Sequence, residues 1–425
     1  MTTTSPIPTT IESSTAPISQ SVPAMNELFN PANRADPYSP TKVLRELAPL
    51  HQSPLGLHLV TRYEECAAIL RDPSWSHAGE AALLHPEIDS EDAAAELPTS
   101  FVWMDPPDHT RLRGLVAKGF TARMVAGLRP RIDELVVRLI DEARAEGDFD
   151  LIKSMAYPLP LTVICELIGI PLSDHYLVQS WSQHLARGFD PDVLMEPEAR
   201  KARSTAASEL FAYFRTLITE RRRQPTDDLL SVLGAVEDAG DTLSATEVLA
   251  TCVTILVAGH ETTVNLIGNG LLALLRNPDQ LQLLRDRPEL IRSAVDELLR
   301  FEPPIQMTTR TATSSKMLAG RDFNPGEGVV VLLNSANRDP ATFADPDRLD
   351  VSRTHDRSIR RPRHLTFGLG IHYCLGAPLA LLQMEILLCR LTERVPVFEL
   401  TSGSPQYRPN LVFRGLSSLP VRFRG

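Results

Sequence analysis

The chain has 425 residues, room for two ordinary domains or one large one. Hydrophobic residues make up 43% and charged residues 23%, the balance of a globular protein. The formal net charge of −10 excludes a nucleic-acid binder, which needs a basic stripe to neutralise phosphates.

In chain order, residues 1–24 are rich in Thr, Ser and Pro, with neither a basic start nor an apolar run. They read as a disordered tail rather than a signal peptide. Ordered structure is expected as one domain over residues 25–425. Leu57–Val60 follows a Pro-Leu-Gly turn and is expected to form a strand. From about residue 110 a helical period takes over. Ile132, Leu135, Val136, Leu139 and Ala143 fall on one helix face, and similar patterns recur over Glu209–Arg222 and Pro288–Arg300.

The longest helix is expected to start at Ser244, which forms an S-x-x-E capping box with Glu247. Apolar residues continue to Leu275, and Asn277-Pro278 stops the run. About 32 residues at 1.5 Å each give roughly 48 Å, enough to cross a whole domain. Its Val248–Val257 stretch is too short for a bilayer span and runs into Gly259, His260 and Glu261. A buried helix and no membrane anchor are expected. Strands are confined to short pieces, such as Val329–Leu333 after the Asn324-Pro325-Gly326 turn. A further helix, Leu379–Leu391, opens at Ala377-Pro378. The fold class is mainly α with small β-sheets, without the strand–helix alternation of a doubly wound sheet.

Cys66, Cys165, Cys252, Cys374 and Cys389 are scattered, with no C-x-x-C. They read as reduced cytoplasmic thiols, not as a disulfide framework. Cys374 stands apart because of its setting, Phe367-Gly368-Leu369-Gly370-Ile371-His372-Tyr373-Cys374-Leu375-Gly376. A glycine-rich loop ahead of a helix can aim backbone N–H groups at one sulfur and favour a thiolate. A zinc site needs more ligands than this stretch holds. A hydrolytic nucleophile needs an orienting group beyond His372.

The loop resembles the cysteine-ligand loop of the cytochrome P450 family of haem-thiolate monooxygenases, matching at Phe367, Gly368, Gly370, His372, Cys374 and Gly376. Further matches follow in the order of the family's soluble bacterial members, from about Leu57 to the end. The resemblance implies the cytochrome P450 fold, with the long helix lying across a haem b held by the Cys374 thiolate. Such a thiolate pushes electron density onto iron and favours O–O cleavage.

Three more sets carry the resemblance. Ala258-Gly259-His260-Glu261-Thr262-Thr263 puts a carboxylate and a glycine inside an apolar helix, both costly there. By resemblance, Ala258 and Gly259 make room for dioxygen. Glu261 and Thr262 then deliver protons, with Thr262 or its water as the donor, because the family's alcohol directly follows its acid. Glu297-x-x-Arg300 is by itself a weak helix pair; the resemblance implies a buried structural network with Arg353. His109 and Arg113, one turn apart on a helix face, are implied to hold the haem propionates together with Arg310 and His372. The sequence departs from the family where Leu381 replaces an Arg and Gln383 a Glu; the family's Arg faces the side where an electron donor docks.

The expected activity is insertion of one atom of dioxygen into a hydrophobic small molecule, by hydroxylation or epoxidation. The chain has neither a cysteine cluster for iron–sulfur chemistry nor a G-x-G-x-x-G turn. A separate ferredoxin or flavodoxin-type donor with its reductase is therefore required, and the enzyme is expected to be a cytoplasmic monomer. A peroxide-driven peroxygenase is the first alternative, disfavoured by the acid–alcohol pair. A non-enzymatic haem protein is the second; it would need neither Glu261-Thr262 nor a large pocket. Substrate contacts are expected at Phe101, Val102, Val257, Ile305, Gln306, Met307, Leu411 and Val412, an apolar set.

Overall fold

In the computed structural model, which describes residues 18–424 except 54–55, 79–99, 193–194, 239, 357, 359–360 and 402–403, order begins earlier than Met25. Helix α1 spans Ile18–Phe29 and carries Pro23 inside it. Ala24, Met25 and Leu28 pack with Leu44, Leu59, Val330 and Leu332 in a small core. Apolar burial of that kind is what orders a segment whose composition reads as tail. The expected tail is thus corrected for residues 18–24, and residues 1–17 lie outside the described residues.

The helices that build the site are α2 (Asp108–Gly119), α3 (Arg129–Glu146), α4 (Pro158–Ile168), α5 (His175–Ala186), α6 (Pro197–Arg223), α7 (Ala245–Arg276), α8 (Ile291–Phe301) and α9 (Ala377–Arg394). Helix α3 buries Ile132, Leu135, Val136, Leu139, Ile140 and Ala143 along one stripe. Helix α6 starts well before Glu209, because its polar first turns show no apolar period; its buried residues begin at Ala206.

Helix α7 has 32 residues and forms both halves of its capping box. The Glu247 N–H donates to Ser244 Oγ at 3.2 Å, and the Ser244 N–H donates to Glu247 Oε2 at 2.8 Å. The helix ends at Arg276, ahead of Asn277-Pro278. Helices α4, α5, α6, α8 and α9 all pack on it. It is therefore buried by protein along most of its length, which accounts for its apolar character.

The largest sheet has five strands: β1 (Leu50–Gln52), β2 (His58–Val60), β3 (Trp75–Ser76), β4 (Met307–Ala312) and β5 (Gly328–Leu332), in the order β1-β2-β5-β4-β3. Only β2 and β5 run parallel, with Val331 opposite Val60. Every residue of β5 is buried, so a continuous apolar run replaces alternation. The chain turns into a short helix at Leu333, which closes the strand one residue earlier than its composition suggests. The structure is one mainly helical domain with small sheets packed beside α7.

Candidate active site

The Cys374 loop is shaped by two glycines with positive φ, Gly368 and Gly370, both at +68°. At Gly370 the need is doubled: a Cβ there would lie 2.6 Å from the Leu70 carbonyl oxygen. The Cys374 N–H donates to the Phe367 carbonyl at 2.9 Å, and the Gly368 N–H to the Leu365 carbonyl at 2.8 Å. The backbone N–H groups of Gly376 and Ala377, where α9 begins, reach the sulfur. Burial nevertheless pushes the thiol up; those two N–H groups and Arg113 offset this only in part. The loop is prepared for a thiolate, and a metal cation bound at the sulfur would favour the deprotonated form.

Around the loop lies a cluster of basic side chains. Arg113 on α2 donates to the Tyr373 carbonyl. His109, one turn earlier on α2, sets its ring 4.2 Å from that of His372, and the His77 ring lies 5.0 Å from His372. Arg310 on β4 is buried and donates to the Thr309 carbonyl at 2.6 Å and Thr308 Oγ1 at 3.0 Å. Both ring nitrogens of His109 and Nε2 of His372 are buried without a hydrogen-bond partner among the described residues. Burial, with His77, His109, Arg310 and Arg113 nearby, pushes His372 down to about 2. Burial and Arg113 likewise lower His109. No carboxylate lines the cavity among the described residues. Buried donors without acceptors, in a field of cations, suit a ligand that brings its own carboxylates.

Cys374, Phe367, Gly368, Arg113, Arg310 and His372 line a cavity of about 440 Å³ together with Ala258, Gly259, Thr262 and Thr263 from α7. Thr262 Oγ1 donates to the Ala258 carbonyl at 2.7 Å. Gly259 has a packing reason beside the room expected for dioxygen: a Cβ would sit 2.9 Å from Ile164 Cδ1 on α4. Glu261 is not part of the lining. Its Oε1 accepts from the Tyr157 hydroxyl at 2.6 Å and its Oε2 from Arg408 Nη1 at 2.7 Å. Burial acts to raise its pKa, but hydrogen bonds and charge from His260, Arg408 and Tyr157 outweigh it and hold the carboxyl down to about 2. His260 Nδ1 donates to the Leu256 carbonyl at 2.8 Å, and its Nε2 lies 2.9 Å from the Ser182 hydroxyl and 3.4 Å from Glu261 Oε1.

Phe101, Val102, Val257, Ile305, Met307 and Val412 all line the cavity. Gln306 does not; its side chain donates to the Pro303 carbonyl at 2.6 Å and accepts from Asn334 at 2.9 Å. Leu411 packs instead in the small core with α1. Sequence reasoning missed an aromatic wall. Trp103, Phe189 and Phe413 line the same cavity, with ring centroids 5.7 Å and 4.6 Å apart in succession.

Residues 90–414 match the family model for Cytochrome P450. The chain belongs to the cytochrome P450 family. It is 43% identical to Cytochrome P450 107B1 of Saccharopolyspora erythraea over 87% of this chain and 89% of that one. It is 40% identical to the cytochrome P450 monooxygenase PikC of Streptomyces venezuelae, over 92% of each. Among solved structures it superimposes on P450BioI, determined in complex with hexadec-9Z-enoic acid ligated acyl carrier protein. That likeness has a TM-score of 0.84 and 36% identity, over 92% of this chain and 98% of that one. The protein is accordingly a haem-thiolate monooxygenase, acting on small molecules with electrons from a redox partner.

Away from the cavity, this cytochrome P450 carries a closed ionic network. Arg300 donates to Glu297 through Nε at 2.7 Å and Nη2 at 2.8 Å, and through Nη1 to the carbonyls of Asn337 and Pro346. Arg353 Nε lies 3.0 Å from both Glu297 oxygens. At the position where the family carries Arg, Leu381 is half-buried against the main core. Gln383 is buried, with its Nε2 directed at the Leu379 carbonyl.

Proposed function

We propose that this cytochrome P450 holds haem b through Cys374, with His109, Arg113, Arg310 and His372 on its two propionates. It hydroxylates or epoxidises a hydrophobic small molecule lodged in the cavity. The observation that carries this reading is the joint lining of one apolar cavity by Cys374, Arg113, Arg310, His372 and Thr262, with the His109 ring set against that of His372. When bound, the cofactor supplies an iron centre at which dioxygen is reduced and cleaved. Thr262, which lines the cavity with Thr254 and Thr263 of α7, donates to the carbonyl of the exposed Ala258 and is the hydroxyl that hands over a proton, at Oγ1. Glu261 acts at one remove, as a fixed anion that braces the middle of α7 through Tyr157 and Arg408. Phe101, Val102, Val257, Met307 and Val412 exclude water and orient the substrate by apolar contact. Electrons come from a ferredoxin or flavodoxin-type donor with its reductase. The enzyme works in the cytoplasm as a monomer; among the described residues one helix, α7, is long and apolar enough to cross a membrane, and it is mostly buried by protein.

The test is the spectrum of the reduced, carbon monoxide-bound protein. The wild type is expected to show the red-shifted thiolate Soret band and Cys374→Ala to lose it. A wild-type spectrum without that band overturns the reading. Thr262→Ala is expected to keep the band while most reductant use is diverted from product; full coupling in that variant removes the proton role from Thr262.

A further inference from the structure

We infer that His77 is a further positioning residue for the cofactor, binding a haem propionate while bracing the aromatic wall of the substrate cavity. This rests on the haem reading of the site. His77 follows strand β3, and Ser76 pairs with Thr311 of β4, next to Arg310. The residue is locked from behind. Its N–H donates to Asp105 Oδ1 at 3.1 Å, and the Ser76 hydroxyl donates to Asp105 Oδ2. The side chain is buried and lines the cavity with Arg113, Arg310 and His372.

One imidazole therefore touches two regions. Its ring lies 5.0 Å from that of His372, tilted by 40°, and 5.0 Å from that of Trp103, tilted by 55°. Trp103 continues to Phe189 and Phe413. On the His372 side are the cations Arg113 and Arg310 and, among the described residues, no lining carboxylate. Two propionates bring about eight lone-pair sites, enough for one N–H from each of Arg113, Arg310, His109, His372 and His77. On the Trp103 side the contact is ring packing alone, a different physical interaction.

That difference lets two substitutions separate the roles. His77→Phe keeps a ring against Trp103 and removes the hydrogen bond. His77→Asn keeps a donor and removes the ring. Both are prepared as holoenzyme, and haem loss is followed by transfer to excess apomyoglobin. Affinity for 4-phenylimidazole, a probe of the cavity, is followed optically. His77→Phe is expected to lose haem about tenfold faster, equivalent to 1.4 kcal/mol, with probe affinity unchanged. Its reduction potential is expected to fall, because a donor to the anionic group is gone. His77→Asn is expected to retain haem within about threefold of wild type and bind the probe about threefold more weakly. Wild-type haem retention in His77→Phe overturns the proposal, as does a parallel change of both readouts in both variants. If the wild type itself lacks the thiolate band, the haem reading fails first and this inference with it.

Discussion

Two of the buried clusters of ionisable side chains in this molecule are finished differently. In the Glu297–Arg300–Arg353 network both carboxylate oxygens receive two guanidinium groups, and the remaining N–H groups end on backbone carbonyls. In the cluster beside Cys374, ring nitrogens of His109 and His372 end on nothing within the described protein. Burial without a partner is costly, and carboxylates brought by a ligand would complete the set here. The first cluster is scaffold, and the second is a cradle.

The largest effect should come from opening the finished cluster. Glu297→Ala leaves two buried guanidinium groups without their anion and is expected to cost about 3–5 kcal/mol in urea unfolding. A loss below about 1 kcal/mol would erase the distinction from an exposed pair. Next is Glu261, a finished group that borders the cavity helix. Its carboxyl is held at about 2 in the folded state against an ordinary 4.5. Its stabilisation is present above pH 4.5 and lost as pH falls through that window toward 2, to the extent of about 3 kcal/mol. Glu261→Gln should flatten the dependence of unfolding free energy on pH there; an unchanged slope would show that the carboxylate is not held as the geometry requires. The smallest effect on stability should come from the cradle. In cofactor-free protein, His109→Phe is expected to change stability by less than about 1 kcal/mol, since no internal hydrogen bond is lost. Haem retention in the same variant is expected to fall several-fold. A loss of fold stability to match Glu297→Ala would make the two clusters the same kind of object.

Local signals made the scaffold legible in the sequence. The bounds of α7 follow from Ser244, Glu247 and Asn277-Pro278, each acting within one turn of its target. The Cys374 loop is legible for the same reason, since its glycines serve backbone conformations next to the cysteine. Helix α1 is hidden because what orders Met25 and Leu28 is contact with Leu59 and Val330, residues remote in the chain. The surroundings of Glu261 are hidden likewise: Tyr157 and Arg408 stand 104 and 147 residues away. His77 gave no periodic or motif signal, and its place depends on the register between β3 and β4. Sequence pattern reports what a residue needs from its neighbours in the chain, and these side chains answer to neighbours in space.

The close approach of Gly259 to Ile164 has a consequence for how this cavity can change over generations. A methyl at position 259 meets Ile164 Cδ1 at 2.9 Å, so a gain of bulk there requires the end of the Ile164 side chain to move aside. The two positions form an epistatic pair in which order matters. Shortening Ile164 to Val is a mild step that opens the way, whereas enlarging Gly259 first passes through an overpacked intermediate. A lineage, or a directed-evolution campaign, reshaping this pocket at position 259 gains from a change on α4, in a residue that a screen confined to α7 would leave untouched.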